Sequence, residues 1–394
     1  MQLEDWRLLL EPAGQSLLAE ATARQPTPET LLKHLTDLRR RHPSGLVSAA
    51  LETAMLRRRA ADKFERAGSL YWTAEALEQA SGERIAAHRA ERFWLLGVRR
   101  LGDLGCGAGG DALVLAAGAW VLGVDRDELR LSMARENCRA YGREAQFQPL
   151  LADLHGWTPT GLDALFFDPG RRAPDGRRIH SVAHYRPPLA VIENWLPRVP
   201  NLAVKVSPGV DDAELPPGAE VEFVSERGLV KEAVLWFGDL RTRAGRRATL
   251  LPGPHSLTDE DRAPVDVGRP GPFLYEPDGA VIRAHLVEQL AARLGAKKLD
   301  PQIAYLTSHQ LTATPFATAY QIDEWMPFQL KRLRARLRSL DVGRVVVKKR
   351  GSPLDPAELA HRLRLTGQTE RVLFLTRVDG GPAVLIGRSL QAWE

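Results

Sequence analysis

A glycine-rich segment at residues 101–111 constrains the fold of this chain more than any other feature. It reads Leu-Gly-Asp-Leu-Gly-Cys-Gly-Ala-Gly-Gly-Asp and is followed by Val-Leu-Gly-Val-Asp at 121–125. An apolar strand ends in Asp103, the glycines open a helix, and a second strand ends in Asp125. Glycine lets the backbone approach a ligand closely, because no Cβ intervenes. This pattern predicts a site for a cofactor with an adenosine half, with Asp125 on the ribose hydroxyls.

The spacing of the glycines favours S-adenosyl-L-methionine (S-adenosylmethionine) over a dinucleotide. Dinucleotide sites use Gly-x-Gly-x-x-Gly before a helix that faces the pyrophosphate. This chain instead has Gly105, Gly107 and Gly109, preceded by Asp103. A carboxylate there attracts the ammonium of S-adenosylmethionine and repels a pyrophosphate. We therefore predict this cofactor, with Asp153 near its adenine amino group. The alternatives are a purely structural turn and an acid that only complements the helix dipole.

Strands and helices alternate as far as about residue 240. Further strands are predicted at 146–151, 164–168 and 202–206, with helices at 111–117, 128–141 and 185–196, and strand-like runs at 220–225 and 230–237 flank a Glu-Arg-Gly turn. Such alternation gives a parallel, doubly wound sheet, which the final hairpin would close at seven strands. The predicted fold class is α/β, the Rossmann-like seven-stranded layout of class I methyltransferases. Ligands of such sheets bind at the carboxyl ends of the strands.

The residues after the fourth predicted strand are expected to face the methyl acceptor. Methyl transfer is an in-line attack on a sulfonium, which the protein promotes mainly by positioning. Asp168 and the carbonyls of Pro169 and Gly170 are predicted to accept the hydrogens of an exocyclic amine and align its lone pair. Three residues are predicted to hold the target nucleotide, Arg171 and Arg172 on a phosphate and Tyr185 stacked on a flipped base. The alternatives are a capping role for Asp168 and a solvated loop for the arginines.

Composition divides the chain into four segments. Residues 1–98 are predicted to be helical, either as a structural cap on the next domain or as a lid over its cofactor. Residues 99–240 are predicted to form the methyltransferase domain, and 241–271, rich in Gly, Pro and Arg, are predicted to form a linker. Residues 272–394 are typical of an α+β domain, in which Asp355-Pro356 starts a helix and Asp-Gly-Gly at 379–381 turns a hairpin.

Several of these elements together resemble a known family. They are the glycine loop, Asp125, Glu-Asn-Cys-Arg-Ala-Tyr-Gly at 136–142, Phe-Asp-Pro-Gly-Arg-Arg at 167–172, Ala-Tyr-Leu-Thr-Ser at 304–308 and Val-Lys-Lys-Arg-Gly at 347–351. They look like bacterial class I methyltransferases with a C-terminal THUMP-like domain. The 136–142 element is also similar to the trimethylguanosine synthase branch, which methylates guanine N2 and has Pro-Pro-Trp where this chain has Pro-Gly-Arg. The resemblance implies an RNA methyltransferase whose THUMP-like domain docks structured RNA.

Basic residues cluster between 331 and 350. The formal net charge of the chain, +5 from 54 Lys+Arg and 49 Asp+Glu, says little about a partner, but this run holds nine bases and one acid, Asp341. Its leucines recur at helical spacing, so one face belongs to a core. We predict that Arg334, Arg338, Lys348 and Lys349 contact RNA phosphates. The alternative is a solvated helix face.

Composition also narrows the class of protein. The apolar runs are short of a membrane span and the first residues lack a signal sequence, so we expect no membrane partner and a cytoplasmic location. The two cysteines, Cys106 and Cys138, give no disulfide framework and no metal set. We predict S-adenosylmethionine-dependent methylation of a guanine or adenine nitrogen in tRNA or rRNA. A non-catalytic RNA-binding protein of this fold and a nicotinamide-dependent oxidoreductase are the alternatives.

Overall fold

The structure, a computed structural model, describes residues 1–172, 177, 179, 181–260 and 264–390. It divides into two compact units. The first unit comprises residues 1–220 and 232–242, and the second comprises residues 221–231 and 243–394. None of the helices in these ranges is long and apolar enough to cross a membrane.

The first unit combines helices with a largely parallel sheet. Its helices are α1 (Leu3–Leu10), α2 (Pro12–Ala23), α3 (Leu31–Leu38), α4 (Ser44–Ala60), α5 (Ala74–Gln79), α6 (Glu83–Leu95), α7 (Ala112–Leu115), α8 (Glu128–Ala140) and α9 (Ile192–Trp195). Its strands are β1 (Arg100–Leu104), β2 (Trp120–Asp125), β3 (Phe147–Leu151), β4 (Ala164–Phe167) and β5 (Leu202–Val206). The chain then passes through β6 (Glu220–Glu226) and β7 (Leu229–Trp236), which the border between the units crosses.

Five parallel strands lie in the order β3-β2-β1-β4-β5, and β7 adds to β5 in the antiparallel direction. The central strand is β1, whose Leu104 is in register with Val124 of β2 and Phe167 of β4. The chain therefore reverses its direction of winding beside β1, which creates a crevice at the carboxyl ends of β1 and β4. The five predicted strands and the α/β fold class are confirmed. The predicted count of seven strands is wrong, because among the described residues the sheet that contains them has nine.

The helix predicted over residues 185–196 is wrong in its first half. Single turns of 3₁₀-helix occupy Val182–His184 and Leu189–Val191, and α9 begins only at Ile192. Pro187 and Pro188 explain the difference, because proline has no N–H to donate to a helical hydrogen bond and its ring clashes with the preceding turn.

The N-terminal helices share one hydrophobic core with the sheet. Trp6 and Trp72 are buried in the same cluster as the strand residues. The Trp6 indole donates to Ser132 Oγ on α8 at 2.8 Å. The amide of Asn137, also on α8, accepts from Tyr71 N at 2.8 Å and donates to Tyr71 O at 2.9 Å, so both buried backbone groups are satisfied. Residues 1–98, predicted as a separate segment, thus fall within the first unit.

The second unit contains a short group of strands and a seven-stranded sheet. Its further elements are β8 (Arg246–Leu251), β9 (His255–Thr258), β10 (Phe273–Pro277), α10 (Gly279–Arg283), α11 (Val287–Leu294), β11 (Lys297–Asp300), β12 (Ile303–Ser308), β13 (Ala317–Pro327), α12 (Leu330–Ser339), β14 (Val342–Lys349), α13 (Pro356–Leu363), β15 (Thr369–Val378) and β16 (Gly381–Ser389). The sheet order is β11-β12-β10-β13-β16-β15-β14. All its pairs are antiparallel except β14 with β15.

The stretch 241–271, predicted to be a linker, contains two strands. β8 pairs in parallel with β6 and antiparallel with β9. Ala248, Leu250 and Leu251 of β8 are buried. Their apolar run is short and lies among Gly, Pro and Arg, the composition typical of a connection, so local pattern did not reveal a strand that tertiary pairing stabilises.

Two local predictions in the second unit are confirmed. β15 and β16 form the expected hairpin, with Asp379 and Gly380 at φ of +53° and +75°, the positive values that a tight turn requires. The Asp355 side chain accepts from Glu358 N at 2.9 Å, with Pro356 at the first helical position. Both features depend on residues close in sequence, which is why the sequence alone predicted them.

Candidate active site at the carboxyl ends of the strands

The glycine loop after β1 approaches a second strand end more closely than a side chain would allow. Gly105, Gly107 and Gly109 have φ of +79°, +53° and +81°. A Cβ on Gly105 would lie 2.7 Å from the backbone oxygen of Asp168. A Cβ on Gly107 would meet no atom within 4 Å. The loop therefore packs tightly against the end of β4 at its first glycine and leaves open space for a ligand at its second.

Asp125, at the end of β2, holds the loop in place. Its Oδ2 accepts from Gly107 N at 2.9 Å and its Oδ1 from Asp127 N at 3.0 Å. The residue is half-buried. A carboxylate offers about four lone-pair sites, so capacity remains for the two ribose hydroxyls assigned to it by the sequence analysis.

Asp103, at the end of β1, is a buried acid whose side chain is not hydrogen-bonded to any residue that the structure describes. It is 1% exposed, and neither carboxylate oxygen has a hydrogen-bond partner within the described ranges. Burial raises the pKa of Asp103 well above the ordinary range, and the charges of Asp111 and Asp168 raise it further. An unpaired buried carboxylate is costly. The ammonium of S-adenosylmethionine would supply the missing donor, so the site fits this cofactor.

Arg89, which the sequence analysis missed, braces the loop from α6. It is 1% exposed. Its guanidinium donates to the carboxylates of Asp111 and Glu232 and, at 3.0 Å, to Ser81 Oγ. Burial lowers the pKa of Arg89, but the two carboxylates outweigh it and the net shift is upward. No sequence spacing indicated this residue, since Glu232 lies 143 positions away.

Asp168 stands at the end of β4 beside the glycine loop. Its backbone N–H donates to Leu104 O at 3.0 Å. Its Oδ2 lies 2.6 Å from the ammonium of Lys205, and the Asp168 side chain stays 22% exposed. Pro169 is buried, and Gly170 exchanges two backbone hydrogen bonds of 3.0 Å with Arg186. The structure thus gathers the predicted acceptor residues next to the predicted cofactor loop.

The three residues predicted to contact the nucleotide differ in their burial and in their partners. Arg171 and Arg172 are half-buried, and Arg172 pairs with Glu78 of α5. Tyr185 is 1% exposed, and its hydroxyl accepts from Ser207 N at 3.0 Å. The prediction that Tyr185 stacks on a base is wrong for this structure, because packing covers its ring. The two arginines stay predictions.

Asp153, predicted near the adenine, is an exposed residue after β3. Its side chain is 68% exposed, and its Oδ1 accepts from His155 N at 2.9 Å. The His155 backbone N–H, and then its ring, hold the pKa of Asp153 below the ordinary value. This role stays a prediction.

Cys106, inside the glycine loop, is buried, and burial raises the pKa of its thiol. Both properties are those of a small residue that fills space in a core.

The four predicted RNA contacts in the basic run of the second unit comprise two half-buried, hydrogen-bonded side chains and two exposed ones. Arg334 is half-buried and donates to Arg362 O at 2.5 Å. Lys348 is half-buried, with its Nζ 2.5 Å from a carboxylate oxygen of Glu276. Arg338 and Lys349 are exposed. Of the four predicted RNA contacts, two are therefore engaged within the unit and two face solvent.

This arrangement, a glycine loop, a strand-end acid for a ribose and an unpaired acid for an ammonium, defines a class I methyltransferase. The chain is 38% identical over 345 residues to an uncharacterized S-adenosylmethionine-dependent methyltransferase of Mycobacterium tuberculosis. The match covers 84% of this chain and 93% of that protein. The chain belongs to the S-adenosylmethionine-dependent methyltransferase family, and S-adenosylmethionine is its cofactor. The nicotinamide alternative is thereby set aside.

Models of known families match three parts of the chain. Residues 98–166 match the RNA cap guanine-N2 methyltransferase family, residues 317–389 a THUMP domain-like family, and residues 2–60 a domain of unknown function. The predicted resemblance is confirmed.

Two further comparisons differ in the share of the chain that they cover. A protein of Porphyromonas gingivalis W83, assigned as a methyltransferase, superposes with a TM-score of 0.75 at 22% identity over 95% of this chain and 98% of its own, which shows a shared fold. A trans-aconitate 2-methyltransferase of Delftia acidovorans is 38% identical over 95 residues, 23% of this chain and 30% of its own.

Proposed function

We propose that this methyltransferase modifies a base in structured RNA, tRNA or rRNA, in the cytoplasm, at an exocyclic nitrogen of guanine or adenine. The observation that carries the proposal is the position of Asp168. Its carboxylate is partly exposed at the end of β4, and its backbone oxygen packs against Gly105 of the cofactor loop. A hydrogen-bond acceptor there can hold an amine nitrogen in line with a methyl group bound at the loop.

The chain's own residues supply binding, position and a proton acceptor, while the transferred methyl group comes from the cofactor. When bound, S-adenosylmethionine supplies an electrophilic methyl group on a sulfonium. Asp103 would pair with its ammonium and Asp125 with its ribose. Asp168 would accept an N–H of the acceptor and align the nitrogen lone pair. Asp168 would also take up the proton that the amine loses on methylation and pass it to solvent.

The choice of RNA as acceptor has separate support. The match at 98–166 is to a family named for RNA guanine-N2 methylation, and that at 317–389 is to a THUMP domain-like family. Exposed Arg338 and Lys349 in the second match suit phosphate contacts. The Delftia relative, named for trans-aconitate, matches only a limited part of this chain. This partial likeness and the partial match at 98–166 are to proteins named for different acceptors, so the THUMP domain-like match and the exposed cations carry the choice of RNA.

A methyl-transfer assay on two RNA pools tests the proposal. Purified chain and S-adenosylmethionine labelled in the methyl group are incubated with total RNA from a strain that lacks the gene and from its parent. We expect label to enter the RNA of the deletion strain and little to enter the parental RNA, whose site is already methylated. RNA that stays unlabelled while the chain binds both cofactor and RNA would favour the non-catalytic alternative.

A further inference from the structure

A buried lysine reaches the proposed acceptor site from the neighbouring strand. Every residue of β5 is buried, and Lys205 within it is 3% exposed. β4 and β5 run parallel with Phe167 in register with Val204. The next residues, Asp168 and Lys205, therefore lie side by side and face the same side of the sheet. The distance of 2.6 Å between Lys205 Nζ and Asp168 Oδ2 agrees with this register.

A lysine in this strand needs a reason beyond packing. Its neighbours Ala203, Val204 and Val206 are apolar and fully buried, and an apolar side chain would fill the same space without the cost of removing an ammonium from water. Lys205 is too deeply buried to contact a large acceptor itself. Its charge can act on the acceptor only through the group that it touches, which is Asp168.

We propose that Lys205 is a positioning residue for the methyl acceptor. It holds one carboxylate oxygen of Asp168 and offsets that negative charge beside Asp103, which leaves the other oxygen of Asp168 for the acceptor amine. Charge-assisted bonds of this kind are short and directional, so they fix the angle at which Asp168 meets its ligand. This inference rests on the proposed function, in that it assumes Asp168 to contact the acceptor.

A double-mutant cycle on turnover tests the assignment. The four proteins are the wild type, Lys205→Met, Asp168→Asn and the double variant, each assayed by S-adenosylhomocysteine release with total RNA from the deletion strain. We expect Lys205→Met to lower kcat about 100-fold, the effect of a small misplacement, with an unchanged Kd for S-adenosylmethionine. In the Asp168→Asn background the same change should have little effect, because the group that it positions is gone.

Two results would overturn the inference. Wild-type kcat in Lys205→Met is one, and an equal loss of kcat in both backgrounds is the other, since that loss would not pass through Asp168. Should Lys205→Met fail to fold, Lys205→Arg keeps the charge but moves its head group. We then expect Lys205→Arg to have a lower kcat at unchanged cofactor affinity. Wild-type turnover in Lys205→Arg would also overturn the inference.

Two controls separate other causes. Arg92→Met breaks a second ion pair of the first unit, in which Arg92 donates twice at 2.9 Å to the buried carboxylate of Glu220. It should lower the melting temperature but leave the kcat of the folded protein near wild type. A cell extract freed of RNA by ribonuclease serves as a second acceptor pool. Turnover with that pool alone would refute RNA as substrate, and the Lys205 cycle would then be read with that pool.

Discussion

Charge is handled in opposite ways at the glycine loop and along the basic run. In the first unit, Asp103 is buried with no hydrogen-bond partner within the described ranges. In the second unit, Lys348 and Arg344 of the dense run already pair with Glu276 and Glu370. A buried carboxyl group without a partner therefore indicates one specific ligand group. A dense run of surface cations indicates its partner less specifically, because some of the cations already form ion pairs within their own unit. The family comparison agrees, since it establishes the cofactor but leaves the acceptor open.

The largest expected effect concerns Asp168. Asp168→Ala should lower turnover about 1,000-fold, within the range for a group that handles a proton in the transition state, and leave the Kd for S-adenosylmethionine unchanged. S-adenosylhomocysteine release and calorimetry measure the two quantities. Asp163→Ala is the matched control, because Asp163 precedes the same strand and binds the Arg99 and Arg100 backbone N–H groups. Equal turnover in the two variants would reduce Asp168 to a strand-end cap.

Asp125 should show the next largest effect, on cofactor binding. Asp125→Ala removes an acceptor for the ribose hydroxyls and the anchor of Gly107 N. Charge-assisted hydrogen bonds are each worth about 1.5–3 kcal/mol, so the Kd should rise about 100-fold, measured by calorimetry. Asp125→Asn, which keeps one acceptor oxygen, should fall between the two. Wild-type affinity in Asp125→Ala would remove this residue from the site.

Asp103 should make the stability of the first unit depend on pH. Because its pKa is raised by burial and by Asp111 and Asp168, more of it is protonated in the folded ligand-free chain than in the unfolded chain. Stability should therefore fall as the pH rises from the ordinary aspartate value of about 3.9 toward the raised value. Asp103→Asn abolishes this penalty, so its advantage in melting temperature over wild type should grow with pH. Parallel melting curves for the two proteins at all pH values would contradict it.

The same residue should report on the cofactor's charge. Only the ionised carboxylate pairs with an ammonium, so wild-type affinity for S-adenosylmethionine should rise with pH below about pH 7.7, where the cofactor's α-amino group is still protonated. At the upper end of that range Asp103→Asn should bind about 30-fold more weakly than wild type, the equivalent of about 2 kcal/mol for one charge-assisted bond, and its affinity should lack this rise. Calorimetry at several pH values measures both. A pH-independent wild-type Kd would mean that another group meets the ammonium.

Sequence predicted the features that are local and failed where partners are distant. The glycine loop and five strands follow from short apolar runs and turn residues. Arg89 and Lys205 could not be recognised as site residues from local sequence. Arg89 pairs with Glu232, which lies 143 positions away, and Lys205 pairs with Asp168, which lies 37 positions away. Tyr185 failed for a related reason. Its burial depends on tertiary packing that a loop sequence does not reveal.

The smallest effect, a change in salt dependence, tests the second half of the comparison. The double variant Arg338→Ala, Lys349→Ala removes two exposed cations of the basic run. It should flatten the logarithmic salt dependence of RNA binding by about 0.7–0.9 for each phosphate that the variant no longer neutralises. The variant Arg334→Ala, Lys348→Ala removes two cations that are held by Arg362 O and Glu276. It should lower the melting temperature more and the slope less.

A matched control from the first unit completes this test. Lys33→Ala, Arg59→Ala also removes two exposed cations, from α3 and α4, and should leave the slope unchanged because no RNA contact is proposed there. Filter binding between about 50 and 200 mM salt covers the range in which phosphate contacts separate. If all three double variants share the wild-type slope, the run is only a solvated surface of α12 and β14, and the exposed cations give no more information about the partner than the paired ones.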